Sequence, residues 1–117
     1  IETLKRLKKP GTYEQLEQRS VALSEGVGNA ARKAGVPLTQ TRVSSMMCAF
    51  FTQGPVTDWA SAKKADTKAY AKFFHQMLDA GIYLAPSQFE AAFMSVAHTP
   101  KDIDRTISAA QAAFKNL

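Results

Sequence analysis

The sequence predicts an α+β domain: a small, mainly antiparallel sheet of about three strands with helices packed on one face. Three observations lead to this prediction. Long segments ending at Ala34 and Ala80, and a third beginning after Thr99, repeat apolar residues at helical spacing. Short apolar segments that are too brief for helices lie between them. Glycine or proline bounds most of these segments, as expected where regular structure ends.

Length and composition indicate one soluble globular domain. The chain has 117 residues, 45% of them hydrophobic and 21% charged, which is enough apolar material for a core. No apolar run approaches the roughly 20 residues of a membrane span, and the charged start is unlike a secretory signal. The single Cys48 excludes an internal disulfide and a multi-cysteine metal site. We therefore expect a cytoplasmic protein without a membrane partner or a metal.

The net charge of +5 is concentrated first in the segment KRLKK, residues 5–9. A basic run of this kind can bind nucleic acid, but it is also typical of a solvated helix face. We favour the helix face, and expect no nucleic-acid partner, because Ile1, Leu4 and Leu7 recur beneath the charges at helical spacing. The chain begins without Met and without a helix cap, which leads us to expect a preceding segment.

The first long helix is predicted from Thr12 to Ala34. Thr12 and Gln15 have the spacing of a capping box, and Gly35 with the following Pro37 predicts the end of the helix. The predicted apolar face comprises Leu16, Leu23, Val27, Ala30, Ala31 and Ala34.

The segment 42–52 predicts a single strand that is buried on both faces and closed by Gly54-Pro55. One face would carry Met46, Cys48 and Phe50, and the other Val43, Met47, Ala49 and Phe51. Cys48 is interpreted as a buried small hydrophobe, because no nearby partner would activate its thiol.

Asp58 is predicted to cap a short helical turn that carries Trp59, and the second long helix should end at Ala80, with Gly81 as its cap. His75 lies off the apolar stripe of this helix, so we expect it to face solvent. The stripe itself comprises Tyr70, Phe73, Phe74, Met77 and Leu78.

Two short strands are predicted near 82–84 and 92–97, followed by a last helix. Thr99 should be its N-cap, with Pro100 in the first position and Asp102 near the positive end of the helix. Its buried face should comprise Ile103, Ile107, Ala110 and Phe114.

The sequence contains few residue patterns that are typical of catalysis or ligand binding. The chain has no glycine-rich phosphate loop, no HExxH motif and no paired-carboxylate spacing, and Ser87, His98 and Asp102 do not make a convincing triad. The one candidate is Glu90, a lone acid between two apolar runs. It is either an exposed turn residue or a polar group in the wall of a pocket.

A family resemblance covers nearly the whole chain. The segments PGTYEQLE (10–17), SMMCAFFT (45–52), KKADTKAYAKFFHQMLDAGIYLAPS (63–87) and DIDRTISAA (102–110) carry it, and GIYLAPSQFEAAFMSVAHT (81–99) is the most specific. In this order they resemble the C-terminal part of glutamate-1-semialdehyde 2,1-aminomutase. Met47 and Ala92 stand where the family often has Phe and Gly, which we interpret as packing changes.

The resemblance implies a pyridoxal 5'-phosphate enzyme of the aspartate-aminotransferase fold that works as a homodimer. Residues 1–9 would be the end of an interdomain helix, and residues 10–117 the C-terminal small domain. The lysine that binds the cofactor lies in the family's large domain, so no cofactor-binding residue is expected here. The family converts glutamate-1-semialdehyde to 5-aminolevulinate for tetrapyrrole synthesis.

The resemblance also implies roles for individual residues. Glu90 would lie in the active-site wall on the amine side of the substrate, where a carboxylate attracts ammonium and disfavours a second carboxylate. Ser87 and Gln88 are weaker candidates for substrate contact. Two alternatives stay open: the small domain of another class III aminotransferase, and a stand-alone interaction domain without catalysis.

Overall fold

A computed structural model describes residues 1–117 and contains five helices and three strands. The helices are α1 (Glu2–Leu7), α2 (Thr12–Ala34), α3 (Trp59–Ala62), α4 (Thr67–Asp79) and α5 (Pro100–Phe114). The strands β1 (Thr39–Val43), β2 (Met46–Phe50) and β3 (Ala92–Phe93) form one antiparallel sheet in the order β1-β2-β3. The predicted α+β class is confirmed. None of the helices has both the length and the apolar character that crossing a membrane requires.

Helix α2 has the predicted bounds but not the predicted N-terminal cap. Gly11 occupies the cap position with φ +83°, and no side chain caps the helix. The predicted capping box is therefore wrong, because the left-handed Gly11 places Thr12 inside the first turn. The Thr12 hydroxyl instead donates to the Arg6 carbonyl at 3.2 Å. At the other end Gly35, with φ +72°, ends the helix as predicted.

The buried face of α2 contains one residue that the apolar pattern missed. Leu16, Ala30 and Ala31 are buried as predicted, but Ala34 is exposed. Ser20 is fully buried, and its hydroxyl donates to the Leu16 carbonyl at 2.6 Å. This bond satisfies the polar group, so a serine can occupy a core position.

The prediction of one strand over 42–52 is wrong, because the segment contains a hairpin turn. Ser44 and Ser45 join β1 to β2, and Ser44 has φ +51°. Val43 pairs with Met46, so these two residues share a face instead of lying on opposite faces. The strands are also not buried on both faces, since Val43 is 71% exposed.

The segment after α4 has less regular structure than predicted. Residues 82–84 form no strand, and β3 contains only Ala92–Phe93 within the predicted 92–97. Gly81, with φ +80°, reverses the chain, and Ile82 and Leu84 then pack against the core as an irregular segment. Burial of these side chains satisfies the apolar pattern without a strand.

The other predicted helix boundaries are confirmed, except that α4 ends at Asp79 with Ala80 as its C-cap, one residue before the prediction. Asp58 caps α3 in a reciprocal arrangement with Ser61, and Thr99 caps α5 in the same way with Asp102. Gly81 follows the end of α4, where its amide and the next one donate to carbonyls of the last turn. His75 is exposed, as predicted.

Three phenylalanine rings lie at the centre of the core. Phe51 lies 5.4 Å from Phe73 and 6.1 Å from Phe114, and Phe73 stacks on Phe114 at 4.6 Å between ring centroids. Helix α2 approaches α5 closely at Gly26, where a Cβ atom would lie 2.3 Å from Ile107 Cδ1. A second small cluster contains Phe50, Ala62 and Ala65. By contrast no residue of α1 is buried, and Ile1 is 92% exposed.

Candidate functional site

The segment 85–90, which carries the three predicted site residues, is an irregular loop fastened to the core at several atoms. The Tyr70 hydroxyl on α4 donates to the Ala85 carbonyl, which fixes the start of the loop. Within the loop, the Glu90 amide donates to the Ser87 carbonyl at 3.2 Å and closes a turn. The sequence gives this loop its shape, because Pro86 cannot continue regular pairing and the serine can accept from its neighbours.

Glu90 is exposed on this loop and forms no salt bridge. Its carbonyl accepts a weak contact from the thiol of Cys48, at 3.9 Å. Cys48 is only partly buried, so the predicted full burial of that residue is wrong. Thus the Glu90 backbone is tied to β2 while its carboxylate is left unpaired.

Glu90 lies at the wall of an apolar cavity of about 130 Å³ between the sheet and the long helices. The cavity is lined by Leu23 and Val27 of α2, Met47 and Ala49 of β2, Met77 of α4 and Phe114 of α5, among others. Tyr70 and Gln88 are also among the lining residues. The loop therefore brings its acid to the edge of an apolar space.

Tyr70 lines this cavity, and its environment shifts the pKa of its phenol. Burial raises the pKa of its phenol above the ordinary value of 10.0, and the negative charge of Glu90 raises that pKa further. The two side chains are thus electrostatically coupled across the edge of the cavity.

Gln88 is the buried polar residue of the loop, with 3% of its surface exposed. Its Oε1 accepts the backbone amide of Phe51 at 3.0 Å. Its Nε2 is buried and has no hydrogen-bond partner. Ser87 is half-buried, and its hydroxyl accepts the amide of Phe89 at 3.2 Å.

Sequence reasoning missed an aromatic contact on the outside of the loop. Trp59 of α3 packs edge-on against Phe89, with the ring centroids 5.4 Å apart. Both rings are exposed, and 30 residues separate them in the sequence. No local pattern could have predicted the contact, because it depends on how α3 is placed against the loop.

The other polar residues considered from the sequence form no catalytic group. His98 accepts the Ser95 amide through Nδ1 at 3.1 Å. The carboxylate of Asp102 accepts from the Thr99 hydroxyl and amide, and these bonds lower the pKa of Asp102 below its ordinary value of 3.8. No three His, Cys, Asp or Glu side chains are grouped so that they could hold a metal ion.

The residues present here do not fit a pyridoxal-phosphate site by themselves. All lysines are exposed, and none lines the cavity beside Glu90. A lysine that binds the cofactor must face the reacting carbon from within a closed site. We therefore derive no chemical step through this cofactor from the 117 residues.

Solved structures with this fold are pyridoxal-phosphate aminotransferases and their relatives. The FumI protein of Sphingopyxis sp. MTA144, in a pyridoxal-phosphate form, is 27% identical with a TM-score of 0.76 over 99% of this chain and 25% of that one. A glutamate-1-semialdehyde aminomutase from Pseudomonas aeruginosa PAO1 gives a TM-score of 0.77 at 17% identity, over 90% of this chain and 23% of that one. The chain thus has the fold of one part of this class of enzyme.

Comparison with curated sequences gives higher identities than comparison with these two structures. Over all 117 residues the chain is 56% identical to the glutamate-1-semialdehyde 2,1-aminomutase of Citrifermentans bemidjiense and 54% identical to that of Geotalea daltonii. It spans about 27% of the length of these relatives, at their C-terminal end. No protein-family model matches. Over its whole length the chain is thus similar to the C-terminal region of proteins named glutamate-1-semialdehyde 2,1-aminomutase.

Proposed function

We propose that the complete protein converts glutamate-1-semialdehyde to 5-aminolevulinate by intramolecular amino transfer, and that these residues form its small domain. The observation that supports this most strongly is 56% identity, over the whole chain, to a protein with that name. The QFEA segment, residues 88–91, lies within the matched region and carries the acid that we assign to the site.

In this proposal the Glu90 carboxylate faces the substrate on its amine side. Glu90 is exposed, has no ion-pair partner and lies at the wall of an apolar cavity, so its charge is free to meet a ligand. An unpaired carboxylate attracts an ammonium group and repels a carboxylate. Glu90 would thus favour substrates that carry amino groups at the reacting end over substrates that carry a carboxylate there. Ser87 would contact the substrate only weakly from the same turn, since its hydroxyl already accepts the Phe89 amide.

We further propose the setting in which this domain works. The complete protein would bind pyridoxal 5'-phosphate through a large domain outside these 117 residues, and it would act as a cytoplasmic homodimer in tetrapyrrole synthesis. Relatives about four times as long leave room for such a domain. Residues 1–9 would then be the end of the helix that joins the two domains, which accords with the exposure of Ile1 and Leu4.

A test uses the protein expressed from its complete coding sequence. We expect a visible-absorbing cofactor chromophore and conversion of glutamate-1-semialdehyde to 5-aminolevulinate without an added amino donor. The control is the same assay with a donor supplied, which should leave the rate unchanged. A chromophore with turnover only in the presence of a donor would instead identify an ordinary class III aminotransferase. Absence of both chromophore and turnover would contradict the enzyme proposal and favour an interaction domain.

A further inference from the structure

Gln88 has the geometry of a support for Glu90, and not of a group that meets a ligand. We propose that Gln88 is a positioning residue: its buried carboxamide ties the loop to the end of β2 and so holds the Glu90 carboxylate at the edge of the cavity. The side chain is buried, and its Oε1 accepts the Phe51 amide at 3.0 Å. This inference rests on the proposed function only for the role of the Glu90 carboxylate in the site.

The amide that Gln88 accepts has no partner in the sheet. Strand pairing ends at Thr39 with Phe50, so Phe51 lies just beyond the ladder. Its carbonyl accepts the Asp66 amide at 2.9 Å, and its ring lies among Phe73 and other core side chains. Gln88 therefore binds the loop to a rigid point of the core and satisfies a buried donor that would otherwise be unpaired.

The unpartnered Nε2 indicates that the acceptor oxygen is what the fold uses. A methionine would fill a similar space without leaving a buried N–H group unsatisfied. Burying a carboxamide with an unpaired N–H group is thus less favourable than burying an apolar side chain, but the carboxamide supplies the oxygen that accepts the Phe51 amide. A hydrogen bond is directional, so it fixes the loop more narrowly than apolar contact would.

A short turn connects Gln88 to Glu90, so the hydrogen bond that restrains Gln88 also restrains Glu90. The amides of Phe89 and Glu90 donate to the hydroxyl and the carbonyl of Ser87, so residues 87–90 move together with Gln88. Outside, the ring of Trp59 packs on Phe89. The loop is therefore held from the core side by Gln88 and from the solvent side by Trp59, and the Glu90 carboxylate is left free.

The test is a double-mutant cycle in the protein made from the complete coding sequence. Gln88→Met removes the acceptor at similar volume, Glu90→Gln removes the charge, and Gln111→Met on the exposed side of α5 is the matched control. We expect Gln88→Met to lower kcat/KM about tenfold in the parent and less than about twofold when Glu90 is already Gln. The control should leave kcat/KM unchanged in both backgrounds.

Hydrogen exchange gives a readout that does not depend on activity. Peptides that cover residues 48–53 and 86–91 should exchange faster in Gln88→Met than in the parent and in Gln111→Met. Should Gln88→Met fail to fold, Gln88→Asn replaces it in the double-mutant cycle. The asparagine side chain is one methylene shorter, so its oxygen lies farther from the Phe51 amide.

Two results would overturn the proposal: unchanged exchange in both peptides, or an equal loss of kcat/KM with and without Glu90. A complete protein that lacks aminomutase activity would contradict the proposed function instead. In that case the exchange of the two peptides alone decides whether Gln88 positions the loop.

Discussion

The helical core and the segment 82–98 of this chain are held in place by different forces. In the core, helices α2, α4 and α5 bury apolar side chains around Phe51, Phe73 and Phe114. The segment 82–98 contains a single strand of two residues, and beyond Ile82 and Leu84, which pack against the core, individual hydrogen bonds fasten it. Arg19, for example, donates to the Val96 carbonyl at 2.5 Å, and the Met94 amide donates to the Ser45 carbonyl. The core provides a rigid body, and single polar contacts place the loop that carries Glu90.

Removing a ring from the core should have the largest effect on stability. Phe114→Ala should lower the free energy of unfolding by about 3–5 kcal/mol, because it deletes a buried ring and leaves a cavity. The matched change in the other region is Phe93→Ala, where the ring is 66% exposed. That substitution should lower the free energy of unfolding by about 0.5 kcal/mol or less. Urea denaturation of both variants measures the difference, and equal losses would contradict the contrast between the two regions.

Thr99 marks the junction of the two regions, where the segment ends and α5 begins. Thr99→Ala should destabilise the fold by about 1 kcal/mol, since it removes the capping box with Asp102. The pKa of Asp102 should rise toward its ordinary 3.8, because the Thr99 hydroxyl is the largest cause that lowers it. A lowered pKa contributes stability above pH 3.8 that is lost as the pH falls below it, and the variant should lose part of this dependence. Carboxyl titration by NMR would contradict the account if the pKa of Asp102 stayed unchanged.

Tyr70 is the anchor that fixes the start of the loop to α4. Tyr70→Phe should cost about 0.5–1.5 kcal/mol, because the Ala85 carbonyl loses its partner while the ring stays in place. Tyr83→Phe is the matched control, since Tyr83 is 76% exposed. Thermal or urea unfolding measures stability, and hydrogen exchange should increase in the loop of Tyr70→Phe. Exchange that rises equally in both variants would rule out the anchor.

The smallest effect is on the titration of Tyr70 when Glu90 loses its charge. Glu90→Gln should lower the pKa of Tyr70, but not to 10.0, because burial is the larger cause of its elevation. The raised pKa means that the neutral phenol is favoured in the fold. Its contribution to stability is present below pH 10 and is lost as the pH rises above it. Tyrosine titration by NMR measures this pKa, and a value that does not fall would show that the two groups are not coupled.

Local signals in the sequence predicted the helices well. The Thr99 and Asp102 cap, the Asp58 cap and the glycines at 35 and 81 define their boundaries as the structure has them. These features depend on neighbours within a few residues, which is why the sequence contains them. The hairpin was missed because the pair Ser44-Ser45 is not a strong turn signal and looks like a small polar interruption in a continuous apolar stretch.

The site could be predicted only in part. The resemblance identified Glu90 as the candidate acid, and the structure shows it exposed beside a cavity. Nothing in the sequence indicated that Gln88 is buried against Phe51, or that Trp59 covers the same loop. Both contacts join residues that are far apart in the chain, and a polar residue in a turn is ordinarily expected in water.

The most direct test of the account is the Glu90→Gln exchange in the protein made from the complete coding sequence. Glu14→Gln, at an exposed acid in the first turn of α2, is the control. We expect kcat/KM for glutamate-1-semialdehyde to fall roughly 10- to 100-fold with Glu90→Gln, because the charge-assisted contact that we propose between Glu90 and the substrate amine would be lost. Discrimination against substrates with a carboxylate at the reacting end should weaken as well. Unchanged turnover together with unchanged substrate preference would contradict the account, because Glu90 would then have no part in the site.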